Sequence, residues 1–365
     1  MFDERACRHL CSALVVGVSF LYAGVVLGAT VPAAGSAAGP AKDTAAVRAV
    51  RPLRVSGYAQ IHFRHAFATG ADSLVDYDDF RVQRVRIAIE GDVSPKVAYT
   101  VEIDPRAPEI TGVLRDAYLT FRHIPRHQLR IGQQKTQFGY ENRESSTQLY
   151  VVNRAELSDA LSRGINLRDV GVGLLGNLRL GTGWRLEDAL TVVNGAGMNV
   201  QADDTKRKSV WGRLGLRYRA DTRDLTARVG LSGASGDFID PGDDPSATSD
   251  DFRLSFVRRG VDFELDHPRA FVCAEYVSGR ETNHLTGELG EPVGWYATVA
   301  GKTRWRIGPI VRIENFDDAF KRLTIGAYLG LPAEPLRFMV NFERRSLKEE
   351  IRADDKLYFW TQVRF

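Results

Sequence analysis

The chain has 365 residues, a net charge of +3, 44% apolar residues and 26% charged ones. That balance excludes a disordered chain and a bundle of membrane helices, and the small net charge alone gives no reason to expect nucleic acid. Arginine outnumbers lysine 40 to 9, which supplies permanently charged forks suited to oxyanions, although a GC-rich coding bias would produce the same excess.

The N-terminus reads as a signal peptide over 1–38. "MFDERACRHLCS" carries Arg5 and Arg8, "ALVVGVSFLYAGVVLGA" is a continuous apolar run, and small residues follow in "TVPAAGSAAGPA". Charged start, apolar stretch and small-residue end are the order of a secretory leader. Cleavage fits after Ala33 or after Ala38, with Ser36 at the minus-three position in the latter case. A single N-terminal anchor is the alternative, but the run is short for a span. Cys7 and Cys11 would leave with this segment, so Cys273 is left with no partner for a disulfide or a metal framework.

Residues 39–53 read as a short periplasmic leader. From Arg54 the chain alternates apolar and polar residues with little interruption. In "RVRIAIEGDVSPKVAYTVEID", Val85, Ile87 and Ile89 alternate with Arg84, Arg86 and Glu90. After the "GDVSP" turn, Val97, Tyr99, Val101 and Ile103 alternate with Thr100, Glu102 and Asp104. This period of two predicts a hairpin with one apolar and one charged face. The same pattern predicts 16 strands, near 54–66, 78–91, 95–104, 112–122, 127–134, 168–179, 183–194, 207–219, 223–233, 251–265, 269–280, 293–302, 305–316, 321–330, 334–346 and 355–365. Short gaps alternate with long ones, and 317–320 is the exception.

An even number of antiparallel strands with alternately short and long connections predicts a closed transmembrane β-barrel of the Gram-negative outer membrane, all-β in class. A sheet of 16 strands that is apolar on one face throughout can cover that face only by closing on itself in lipid. The charged face then lines a water-filled channel. The chain ends on "LYFWTQVRF", where Phe359, Val363 and Phe365 fall on the outward row. A terminal aromatic residue on such a strand is the usual end read by the barrel-assembly machinery.

The gap at 135–167 is the longest, and "NRAELSDALSRG" within it predicts a short helix, with Asn153 as N-cap, Leu157 and Leu161 on one face and Gly164 as stop. A leucine face on an external loop finds cover if the loop folds into the barrel, where it narrows the pore. Arg143, Arg154, Arg163 and Arg168 belong to this loop and its exit. Arg84, Arg86, Arg122 and Arg130 lie on neighbouring strands, Lys135 stands where the loop begins, and Glu102, Asp104 and Asp116 oppose them. Charged rings of this kind set selectivity at a constriction. Their mutual cancellation across a hydrated wall is the competing reading.

No motif for catalysis is present. The seven histidines form no metal pair, His62 and His65 fall on opposite faces, and no nucleophile motif occurs. The acidic stretches "DSLVDYDD" and "DPGDDPSATSDD" lack the ligand spacing of a calcium loop and read as solvated outer loops. The sequence thus predicts no enzyme, cofactor or metal.

At "GVLRDAYLTFR", "LRIGQQKTQFGYE" and "LSDALSRGINLRDVGVGLLG", and again at "GWYATVAGKT", the chain resembles the phosphate-selective porin O and P family over essentially all of 54–365. The resemblance implies a 16-stranded pore, a homotrimer and anion-selective relatives. It also departs from the family. Gln137 stands where the family has proline before "FG", and lysines near the strands are few, Lys96, Lys135 and Lys302 among them. The expected function is passive diffusion of small solutes, small anions preferred, phosphate or polyphosphate among them. A weakly selective general porin, or a surface structural or adhesion barrel, is the alternative. The expected surroundings are outer-membrane lipid and lipopolysaccharide.

Overall fold

The computed structural model describes residues 51–67, 77–106, 113–161, 168–200, 207–220, 224–239, 253–283, 286–317, 320–347 and 353–365. The predicted signal peptide, most of the leader, Arg163, Gly164 and most of both acidic stretches lie outside the described residues. Pro52–Phe365 forms one compact unit.

Alternation of apolar and polar residues produces a strand at every predicted position. In chain order they are β1 (Arg54–Ala66), β2 (Tyr77–Ser94), β3 (Val97–Ile103), β4 (Leu114–Phe121), β5 (His127–Lys135), β6 (Arg168–Arg179), β7 (Trp184–Val193) and β8 (Ser209–Ala220). The second half holds β9 (Leu225–Ile239), β10 (Arg253–His267), β11 (Ala270–Asn283), β12 (Val293–Gly301), β13 (Ile307–Phe316), β14 (Phe320–Leu329), β15 (Leu336–Leu347) and β16 (Ala353–Arg364). Leu289–Gly290 adds a two-residue bridge to β11 outside the ring. Each strand pairs antiparallel with its neighbours, and β16 pairs with β1 from Tyr58↔Arg364 to Ala66↔Lys356. The N–H of Phe365 donates to the carbonyl of Gly57 at 3.0 Å, and that of Gly57 returns a bond to Phe365 at 2.9 Å. The aromatic last residue is therefore part of the seam that closes the barrel.

Boundaries differ from expectation where the backbone is irregular. The β2–β3 turn falls at Pro95–Lys96, because β2 bulges between Asp92 and Ser94 and runs on to Ser94. β9 and β11 extend six and three residues past the predicted ends, to Ile239 and Asn283.

The alternation sorts residues by face as expected on β15. Phe338 and Val340 are 45% and 40% exposed on the outside, whereas Arg337 and Asn341 are fully buried within. The interior differs from a uniformly charged lumen. On β8 and β10–β16 the inward row also carries Trp211, Phe256, Phe271, Tyr296, Ile310, Tyr328, Met339, Tyr358 and Trp360, all buried. They pack on Phe138, Tyr150, Val151, Val152, Leu157 and Leu161 of the long loop. An inward-folded loop with an apolar face needs an apolar wall to rest on, and this half of the barrel provides it.

Candidate functional site: the constricted lumen

The loop after β5 is fixed by wall side chains that accept its backbone N–H groups. At Gly139 (φ 64°) the chain turns in a conformation that L-residues seldom adopt, and a Cβ there would lie 1.9 Å from Glu275 Oε1. Gly139 N donates to Ser232 Oγ at 3.0 Å. The next two N–H groups, of Tyr140 and Glu141, both donate to Glu275 Oε2 at 3.3 and 3.2 Å, and the Tyr296 hydroxyl donates to the same oxygen at 3.1 Å. Further along, Val152 N donates to Asn341 Oδ1 at 2.9 Å and Glu156 N to Glu314 Oε2 at 2.7 Å. Buried backbone donors need such partners, so each of these wall residues acts as a latch.

Glu141 is the internal hub of the loop. Its carboxylate accepts from Ala155 N (2.7 Å), Ser158 Oγ (3.0 Å) and Arg312 (2.5 Å). Burial opposes its ionisation, but Arg312 and Arg154 outweigh burial and hold the carboxyl below the usual range. The predicted helix forms as α1 (Glu156–Ala160). Its N-cap is Ala155, whose N–H binds Glu141, while the amide of Asn153 donates to Glu343 at 3.1 Å. Asn153 is thus a wall contact, and the capping role expected of it is corrected. Leu157 sits against Gly294 of β12, where an added Cβ would lie 2.8 Å from Leu157 Cβ.

These latches lie on β9, β11, β12, β13 and β15, so the loop covers that side of the lumen. Open space remains between the loop and β6–β9. A cavity of ≈ 220 Å³ lies between Gln137, Arg143 and Glu144 of the loop and Asn177, Glu187, Arg213 and Arg228 of the wall. A larger cavity of ≈ 600 Å³ lies by the short turns, lined by Arg179, Arg185, Arg217 and Arg219 with Asp224.

Strand register explains this concentration of arginine. Arg179 pairs with Arg185, Arg185 with Arg217, and Arg217 with Arg228, so four arginines stand directly opposite one another on four successive strands. At strand spacing the row spans about 14 Å. Like charges directly opposite cost stability, and only part of the row is compensated. Arg228 binds Glu264 at 2.9 Å and Arg217 meets Glu187 at 3.4 Å. Arg185 donates to Asn177 at 3.4 Å. Neither Arg179 nor Arg219 has a carboxylate partner among the described residues. The inner cavity is nearly balanced, because Arg213 is bound to Asp262 at 2.5 Å.

Of the sequence-predicted residues, Arg143 lines the inner cavity, donating to Gln137 at 3.1 Å, and burial lowers its pKa. The others are engaged elsewhere. Arg168 joins Asp116 (2.7 Å) to Glu102 (3.2 Å), and Arg86 reaches Glu102 (3.8 Å) and Asp104 (3.6 Å). Arg115, which sequence reading passed over, completes this cluster at Asp104 (3.6 Å). Lys135 donates to the carbonyls of Asn142 and Glu144 at 3.0 and 3.1 Å, and Arg154 also holds carbonyls, of Glu141 and Glu144. Arg84 donates to Gln60 at 3.0 Å, and Arg130 stacks over Tyr118. Arg163 is outside the described residues.

One pair of the row on β6–β9 was legible in the sequence. Arg179 and Arg185 are equidistant from the "GTG" turn, whereas Arg217 and Arg228 pair through the observed register Ala220↔Leu225, which differs from the predicted gap at 220–222. A hairpin pairs residues equidistant from its turn.

Residues 56–210 match a family model described as phosphate-selective porin O and P. The match begins in β1 and ends in β8, so it contains the inward loop and two of the four arginines in the row, Arg179 and Arg185. No curated protein matches the chain. Among solved structures, it is similar to an anion-selective porin from Comamonas acidovorans (9% identity, TM-score 0.59, 86% of this chain and 99% of that one). It is also similar to Salmonella typhi OmpF in complex with daunomycin (13%, 0.55, 86% and 98%) and to the outer-membrane channel DcaP of Acinetobacter baumannii (13%, 0.53, 86% and 97%). At these identities the solved structures speak for the fold, and the family match for the porin. The protein is an outer-membrane channel for small solutes, with short turns toward the periplasm and long loops outside.

Proposed function

We propose that this porin passes small anions in preference to cations, and that the selecting charges stand on β6–β9 at the periplasmic side of the loop. The observation that carries this reading is the in-register row Arg179–Arg185–Arg217–Arg228, whose first three members line a cavity with one carboxylate among its described lining residues. Guanidinium groups in a narrow pore attract anions, and their paired donors suit oxyanions such as phosphate. The anion-selective Comamonas porin and the family description agree with it.

The preference is modest, because a second observation favours weak selectivity. Arg86, Arg115 and Arg168 are closed by Asp104, Glu102 and Asp116. That cluster hydrates and stiffens the wall without net attraction. We further propose that the chain works as a homotrimer, as does the trimer form of Vibrio cholerae OmpT that it is similar to in fold. Export by the leader at 1–38, assembly through the Phe365 end and a purely passive, non-enzymatic role complete the proposal. The test is a planar-bilayer recording in a salt gradient with chloride, phosphate and a large organic anion. A reversal potential of cation sign sinks the anion reading, and a barrel without conductance sinks the channel.

A further inference from the structure

The outward row of β10 reads Val257, Arg259, Val261, Phe263, all exposed. Below this height the neighbouring outward rows are uncharged, reading Val229 and Leu231 on β9 and Val272, Ala274 and Tyr276 on β11, and the next outward charge on β11 is Arg280, one outward position above Ser278. Arg259 makes no ion pair or hydrogen bond among the described residues. Its direct cross-strand partner on β11 is Ser278, whose hydroxyl shares the outer face.

Depth follows from the strand. Arg259 lies eight residues above the periplasmic end of β10, or roughly 20 Å at the usual rise and tilt. The apolar band of such barrels is about 25 Å tall, so the long side chain reaches the outer-leaflet headgroups. Two neighbours fix the level independently. Tyr276 and Trp295, paired across β11 and β12, are 45% and 39% exposed one outward position below Ser278. Aromatic pairs of this kind mark the membrane–water interface. One outward position above, Arg280 already holds Glu291 at 2.7 Å, so Glu291 is neutralised and Arg259 is the available cation.

We propose that Arg259 and Ser278 form a docking site for the phosphate of an outer-leaflet glycolipid, with Tyr276 and Trp295 as the shelf under its acyl chains. A guanidinium offers two parallel donors to a phosphate and the serine hydroxyl a third. The alternative occupant, a carboxylate from a second copy of the chain, is separated by the test.

The experiment titrates the full barrel, folded in detergent, with diphosphoryl lipid A and reads retained lipid by native mass spectrometry. Arg259→Gln should weaken retention about fivefold, the equivalent of about 1 kcal/mol for one basic residue at a charged surface. Arg259→Lys should recover part of it. Excess inorganic phosphate should not displace the lipid, because the shelf contributes to holding it. Heat-modifiable mobility confirms folding of each variant. Unchanged lipid retention by Arg259→Gln overturns the proposal, as does loss of oligomer in place of loss of lipid. Conductance and reversal potential should stay at wild-type values, since Arg259 faces away from the lumen, so this test and that of the channel reading fail separately.

Discussion

Removing Arg185 and Arg217 together is the sharpest perturbation of the pore, because the two are direct cross-strand partners in the middle of the row. A permeating anion in contact with them sits about 5 Å from each guanidinium. At the permittivity of water that is about 0.8 kcal/mol per charge, and screening at 0.1 M salt reduces it to about 0.5. The double change Arg185→Ala/Arg217→Ala therefore removes about 1 kcal/mol, a roughly fivefold loss of anion partition. At 1 M salt the Debye length falls to about 3 Å and the loss shrinks to less than about twofold. Glu187, freed from Arg217 at 3.4 Å, pushes in the same direction. The assay is the anion-to-cation permeability ratio from reversal potentials at both salt concentrations. A wild-type ratio in the double variant refutes the reasoning. So does a change that is equal at low and high salt, because a wall rearrangement would be insensitive to screening.

Three further outcomes follow from the latches and the faces. Glu275→Ala should leave the N–H groups of Tyr140 and Glu141 without their acceptor, at about 1–3 kcal/mol each, so single-channel conductance should rise and become noisier with the barrel intact. Val340→Arg places a charge on the lipid face and should cost on the order of 2–4 kcal/mol in reversible unfolding. Asn341→Ala, one residue on, should instead act through Val152 and loosen the loop, showing in conductance more than in barrel stability. Deleting Phe365 removes both backbone bonds to Gly57 at the seam, and the yield of heat-modifiable barrel in the outer membrane should drop.

The inward position of Asn341 was legible from alternation, but its partner was not. Parity assigns a face, and on that ground Asn341→Arg reads as a harmless lumen substitution. The structure places Asn341 fully buried against the loop, so an arginine there has no room. The same limit applies to Arg168 and Arg86. Their type and parity mark them as lumen charges, yet whether such a charge is offered to solute depends on carboxylates from β3 and β4 that only pairing brings near.

The sequence by itself determined the strands, their number, the short and long connections and the outward face. Each of these is a local consequence of period-two alternation and of turn residues between runs. The apolar loop face was local as well, since Leu157 and Leu161 lie four apart on one helix. Only the tertiary structure decided where charge is left over. Arg179, Arg185, Arg217 and Arg228 are ordinary arginines along the chain and become a row through the register of three hairpin and loop connections. Selectivity depends on unneutralised charge at one height in the pore, and height is a property of the closed barrel that no single segment carries.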